Sequence, residues 1–179
     1  MLVTPLLSRI KSIRRSNVHS CIAVAWGKGS SASTSRFSST HTSHSPVGHL
    51  ILVRHGQSVW NVTDPDQGTT SRFTGWTNVD LSGRGLQQAE AAGRALKEYR
   101  DEEGGGLKID SCFCSLLVRA ERTLDIICSS LGLSTSPGNY NVPVTYSWRL
   151  NERHYGNLVG MSKIEAEVEF GVEQLGAWR

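Results

Sequence analysis

The chain has 179 residues, 38% hydrophobic, 7% aromatic and 20% charged, which suits one domain and excludes a wholly disordered chain. No apolar run reaches the about 18 residues of a membrane-spanning helix, and the four cysteines (Cys21, Cys112, Cys114, Cys128) form neither a C-x-x-C pair nor a zinc pattern, so a reduced compartment fits best. The formal net charge is +3, but six of the 19 basic residues and none of the 16 acidic ones precede residue 49; the rest of the chain carries −3, and the basic balance is no argument for nucleic-acid binding.

Residues 1–48 are rich in Arg and Ser and free of acids. Leu2, Leu6, Ile10 and Ile13 share one helical face, with Lys11, Arg14 and Arg15 mostly opposite. That is the composition of an organelle transit peptide, with a mitochondrial address favoured over a plastid or cytoplasmic one. The apolar stretch from Cys21 to Trp26 is too short and too late for a secretory signal. A cut is expected between Ser30 and Ser45, and the catalytic domain is expected over residues 49–179.

Within that body, residues 49–53 read as a buried strand ended by Arg54-His55-Gly56. Residues 59–78 lack a period and read as loop. Ser82 can cap a helix with Leu86, Ala89, Gly93 and Leu96 on one face, ending between Glu102 and Gly106. Residues 109–114 read as a second strand. Ser115 is expected to cap a second helix striped by Leu117, Ala120, Leu124, Ile127 and Leu131. Residues 134–141 form a loop and 142–150 a third extended segment. Ser162 and Glu165 make a capping box, so a third helix starts near Lys163. Strands alternating with helices predict an α/β fold with a largely parallel sheet.

Such sheets bind ligands beyond the carboxyl ends of their strands. Residues 54–56 follow the first strand, and residues 115–119 follow the second at a helix N-terminus, where N–H groups and the dipole favour anions. The pattern points to an anion site, best suited to phosphate, that contains His55. A neutral imidazole can attack phosphorus and hold the phosphoryl group. The reaction needs one ring nitrogen fixed by a hydrogen bond, cations on the phosphoryl oxygens, and a carboxyl group to carry a proton. Gly56 gives close access to the backbone, Arg54 and Arg119 are candidate clamps, and Glu152 is a candidate proton carrier. A cysteine-phosphatase loop is excluded, because four residues rather than five separate Cys114 from Arg119, so the cysteines read as buried packing residues. Trp60, Trp76, Trp148 and Trp178 likewise read as packing.

The stretch LVRHGQSVWN (residues 52–61) resembles the phosphohistidine motif of the histidine phosphatase superfamily. FTGWTNVDLSGRGLQQA (73–89), CSLLVRAERT (114–123) and LNERHYGNLVGMSKIEAEVEFGVEQLGAWR (150–179) resemble its cofactor-dependent, 2,3-bisphosphoglycerate-using phosphoglycerate mutases. The resemblance runs unbroken from about residue 49 to Arg179. It implies a three-layer α/β fold, a mostly parallel sheet with helices on both faces, incomplete at the C-terminus.

By that resemblance His55 is the phosphorylated nucleophile and Glu152 the proton donor and acceptor. Arg54 and Arg119 clamp the phosphoryl group. Gly56, Gln57, Ser58, Asn61, Thr74 and Gly75 line the substrate and phosphate pocket. Arg153, His154, Tyr155, Lys163 and Arg179 bind the carboxylate or second phosphate, Lys163 aided by the first turn of its helix. The implied reaction interconverts 2-phosphoglycerate and 3-phosphoglycerate, primed by 2,3-bisphosphoglycerate and without metal. The implied partners are small phosphoglycerates, not nucleic acid or membrane, with room for a homo-oligomer. The family's second catalytic histidine, in a downstream His-Gly pair, has no counterpart, since the one such pair in this sequence is His55-Gly56. The expectation is a truncated chain, poorly soluble and nearly inactive as written. Two alternatives stay open: a phosphatase of the same superfamily, and a non-catalytic phosphoglycerate-binding remnant.

Overall fold

A computed structural model describes residues 21–26 (as backbone), 50–102, 108–134 and 141–178. The amphipathic start of the leader, its cut region and Arg179 lie outside the described residues.

Four strands form one sheet: β1 (Cys21–Trp26), β2 (Leu50–Arg54), β3 (Ile109–Cys114) and β4 (Val144–Tyr146), in the order β2-β1-β3-β4. Helices α1 (Gly83–Glu102), α2 (Val118–Ser130), α3 (Lys163–Phe170) and α4 (Val172–Ala177), with 3₁₀ turns at Val59–Asn61, Trp148–Leu150 and Gly156–Leu158, complete the described elements; the first of these turns falls inside the stretch expected to be loop. None of the described helices is long and apolar enough to cross a membrane.

β3 and β4 pair in parallel, with Cys112 opposite Val144 and Cys114 opposite Tyr146. β1 pairs antiparallel with both β2 and β3, so β2, β3 and β4 all run the same way, as the α/β pattern requires. The departure is β1 itself. A stretch set aside as leader supplies a strand in the middle of the sheet, so the fold as described does not begin at residue 49. The apolar run Cys21–Trp26 satisfies backbone groups on both sides of the slot between β2 and β3.

The core lies on one face of the sheet. Cys112 and Cys114 point into it with Ala120, Leu124, Ile127, Cys128 and Leu131 of α2 and its C-terminal turn, all nearly water-free, and Ile51 and Val53 pack against the same cluster. The expected stripe on α2 is therefore the buried one, and Ala89 and Gly93 are buried on α1. Gly93 lets the two helices meet, since a Cβ there would run into the Ser130 side chain. On the opposite face, Leu50, Leu52 and Phe113 are exposed. β2 is thus not buried on both sides. It alternates, because α1 and α2 cover one face only, and the pleat turns Leu50 and Leu52 away from them.

Caps and ends differ in detail from the sequence reading. Ser82 caps α1 by accepting from the Gly85 N–H (3.1 Å), and the Ser162/Glu165 capping box opens α3 as expected. The α2 cap is Leu117 rather than Ser115, whose Oγ accepts only the Leu117 N–H at 3.3 Å. The third extended segment is strand only over Val144–Tyr146. It continues as a 3₁₀ turn, Trp148–Leu150, because Ser147 captures the Arg149 N–H.

Candidate active site

His55 directly follows β2 and is 6% exposed. Its Nδ1 lies 2.6 Å from the Gly56 carbonyl oxygen, which places a proton on Nδ1 and a lone pair on Nε2. Burial pulls the His55 pKa down to about 4; the Arg119 and Arg54 charges act in the same direction, and the Gly56 carbonyl and Glu152 oppose it. The ring is therefore neutral at pH 7.

Arg119, on the first turn of α2, has no exposed surface. Its Nε–H donates to His55 Nε2 (3.2 Å), Nη1 to the Thr77 carbonyl (3.0 Å), and Nη2 to both the Gly75 carbonyl and Glu152 Oε2 (2.9 Å each). Burial lowers the Arg119 pKa, while Glu152 pushes it back up. A guanidinium stays charged there, and its fixed fork matches this spread of acceptors. Glu152 is 8% exposed and forms with Arg119 the buried ion pair of the described residues. His55, Arg119 and Glu152 thus form one contiguous unit, assembled from the ends of β2 and β3 and the segment after β4.

Beside His55 opens a cleft of about 440 Å³ lined by Arg54, Gln57, Asn61, Gln88 and Thr123, among others. Ser58 is fully buried and donates from Oγ to Asn61 Oδ1 (2.8 Å), so it holds Asn61 rather than facing the cleft. Thr74 is buried, and its hydroxyl reaches the Arg72 carbonyl at 3.5 Å. Gly75 enters through its carbonyl, on Arg119.

Arg153, His154 and Tyr155 line a different cleft of about 380 Å³ with Phe73 and Trp178. The Arg153 guanidinium carbon lies 5.3 Å from the centre of the Tyr155 ring, and Tyr155 meets Phe73 edge-on at 5.1 Å. The two clefts share no lining residue, so this group is not brought to His55. Lys163 begins α3, with its backbone N–H on the Ser71 carbonyl at 2.9 Å.

Two expectations change on physical grounds. At the start of α2 the N–H groups of Leu116, Leu117 and Val118 are taken by Asn151 Oδ1, Ser115 Oγ and Asn78 Oδ1, which leaves fewer of them for an anion. Gly56 is also small for a different reason, since a Cβ there would collide with the Gly85 carbonyl, and one on Gly85 with the Gln57 carbonyl. The loop bearing His55 and the start of α1 are pressed together backbone to backbone.

Sequence reasoning missed Thr123, Gln88 and the carbonyls of Gly75 and Thr77. Thr123 Oγ1 accepts the Gly56 N–H (3.1 Å) and donates to the Arg119 carbonyl (2.7 Å), which ties the His55 loop to α2. Its place four residues after Arg119, on the same helical face, is the signal that could have found it. Gln88 Oε1 accepts the Gln57 N–H at 2.8 Å. A carbonyl carries no side-chain signal at all.

The free cysteines Cys112, Cys114 and Cys128 are buried. Burial pushes the Cys114 thiol up to about 12, which leaves it un-ionised and unsuited to attack.

The model of the histidine phosphatase superfamily (branch 1) matches residues 50–179. A 2,3-bisphosphoglycerate-dependent phosphoglycerate mutase of Nitratidesulfovibrio vulgaris is 48% identical over 130 residues, 73% of this chain and 45% of the relative. The corresponding mutase 2 of Bacteroides thetaiotaomicron is 41% identical over the same shares. The chain therefore spans about half the length of these relatives. Among solved structures, a mycobacterial glucosyl-3-phosphoglycerate phosphatase complexed with VO3 is 26% identical, with a TM-score of 0.51 over 69% of this chain and 49% of that one. On a match that takes in β2, the His55 loop and every element after it, the chain belongs to the histidine phosphatase superfamily, branch 1.

Proposed function

We propose that the chain interconverts 2-phosphoglycerate and 3-phosphoglycerate through a phosphohistidine at His55, primed by 2,3-bisphosphoglycerate. The observation that carries this reading is the state of His55: Nδ1 donates to Gly56, and Nε2 keeps a lone pair against Arg119. That is a nucleophile in the required tautomer with a cation already beside the reacting nitrogen. The two mutase relatives support the choice of substrate.

The cleft residues fit a phosphorylated three-carbon acid. Arg54 meets the anion, and Gln57, Asn61 and Gln88 offer polar groups to its hydroxyl and carboxylate. When bound, 2,3-bisphosphoglycerate supplies the phosphoryl group that primes the histidine. His55 Nε2 forms the bond to phosphorus, while Nδ1–H stays on the Gly56 carbonyl and steadies the charged ring. Arg119 shifts its Nε–H from the Nε2 lone pair to a phosphoryl oxygen. Glu152, on the same guanidinium, takes the proton from the attacking hydroxyl and returns it to the leaving one. The resemblance would give the far carboxylate or phosphate to Arg153, His154, Tyr155, Lys163 and Arg179, but Arg153, His154 and Tyr155 line a separate cleft, so that role requires the ligand or the chain to bridge the two. No metal enters the scheme.

The likeness to a glucosyl-3-phosphoglycerate phosphatase favours a second reading, in which water takes the phosphoryl group from His55. The test supplies 3-phosphoglycerate with and without 2,3-bisphosphoglycerate and follows both 2-phosphoglycerate and free phosphate. Primer-dependent isomerisation supports the mutase, and phosphate release alone supports the phosphatase. Ligand binding without acid-labile phosphate on His55 supports a binding protein and sinks both. The acid-free leader further supports a mitochondrial address. The intact mass of protein from isolated organelles tests it, with the loss expected to end between Ser30 and Ser45; such a cut would separate β1 from the rest of the sheet.

A further inference from the structure

We propose that Trp76 is a positioning residue for Glu152: its indole N–H holds the Glu152 main chain and so sets where the Glu152 carboxylate meets Arg119 and His55. The role of Glu152 as proton carrier rests on the function proposed above; the positioning contact stands on geometry alone.

Trp76 is 43% exposed, too open to be explained as a core filler. Its Nε1–H donates to the Glu152 carbonyl oxygen at 2.6 Å. The carbonyls on either side of it, of Gly75 and Thr77, both accept from Arg119. Gly75 sits at φ +50°, a left-handed conformation that turns the chain so that its carbonyl and that of Thr77 converge on one guanidinium. Arg119 then reaches Glu152 Oε2. The contacts close a ring: Trp76 to Glu152 main chain, Glu152 carboxylate to Arg119, and Arg119 back to the residues flanking Trp76.

Glu152 needs such a hold because residues 151–155 have no regular secondary structure. A helix or strand would position a catalytic carboxylate through its own ladder, whereas here a side chain from another loop does so. The Trp76 ring is steadied in turn by Trp148 at 6.2 Å and His154 at 5.9 Å between ring centres.

Trp76→Phe keeps a ring for those contacts and removes the N–H; Trp148→Phe, which likewise keeps a ring beside Trp76 and removes an N–H that does not reach Glu152, is the control. Both are made in the full chain, and discharge of His55 phosphate to 3-phosphoglycerate is followed against pH. Trp76→Phe should slow discharge about ten- to hundredfold and move the acid limb of the profile, with the affinity for 2,3-bisphosphoglycerate within about twofold of the parent. Trp148→Phe should match the parent in both. A Trp76→Phe profile that coincides with the parent overturns the proposal. If the parent takes no label, the functional reading fails by itself, and the positioning contact is judged by hydrogen exchange. Indole N–H exchange at Trp76 at least tenfold slower than at Trp148 supports it; equal rates overturn it.

Discussion

The Arg119 Nε–H points at the Nε2 lone pair of His55 across 3.2 Å, while the same guanidinium holds Glu152 at 2.9 Å. One cation therefore links the nucleophile to the acid, and both are shut away from water. The arrangement also tethers Arg119 to two carbonyls, so its position is set by the backbone of residues 75–77 as much as by its own helix.

Arg119→Met is expected to be more damaging than loss of one hydrogen bond. It leaves the buried Glu152 carboxylate without its Arg119 partner, at a cost of about 3–5 kcal/mol. Arg119→Lys keeps the charge but lacks the fork, and should recover only part of that loss. Urea denaturation of the three proteins side by side checks the order; a methionine variant as stable as the parent would contradict the pairing.

Acid should destabilise the protein through His55. The folded pKa is lowered to about 4 from an ordinary 6.5, so between these values the unfolded chain binds the extra proton. Stability from this group is complete above about pH 6.5, falls as pH drops towards 4, and levels off below. The full loss is about 3.5 kcal/mol at 1.4 kcal/mol per unit. Comparing parent with His55→Gln across pH 4–7 isolates it: the glutamine variant should lose less stability over that window.

Gly85→Ala places a methyl against the Gln57 carbonyl in tightly packed backbone. Overpacking of this kind costs about 1–3 kcal/mol. Because the displaced segment carries His55, phosphohistidine formation should fall alongside the melting temperature. Gly83→Ala, where a Cβ meets nothing within 4 Å, should leave both nearly unchanged.

Thr123→Val keeps the volume of a fully buried side chain and removes the acceptor for the Gly56 N–H. An unsatisfied buried donor costs about 1–3 kcal/mol. Thr123→Ser should restore most of it. Faster hydrogen exchange at the Gly56 amide in the valine variant, and not in the serine one, would be the direct readout.

Much of this was legible in the residues. Ile109–Cys114 and the α2 stripe follow from apolar periodicity, which reports burial directly, and the capping box at Ser162 is a local hydrogen-bond pattern written in four consecutive residues. His55, Arg119 and Glu152 were legible as reacting types at the ends of elements. What joins them was not. Residues 55, 119 and 152 converge because the ends of β2 and β3 and the segment after β4 meet at one end of the sheet, and their links run through the carbonyls of Gly75 and Thr77, which no side chain announces. The same holds for Cys21–Trp26: composition marks an acid-free leader, but filling the slot between β2 and β3 depends on backbone groups 25 to 90 residues away in sequence. Local chemistry determined which residues can react and where helices start. Long-range backbone pairing decided which of them share a site, because it is set by the packing of distant segments and leaves no periodic trace in any one of them.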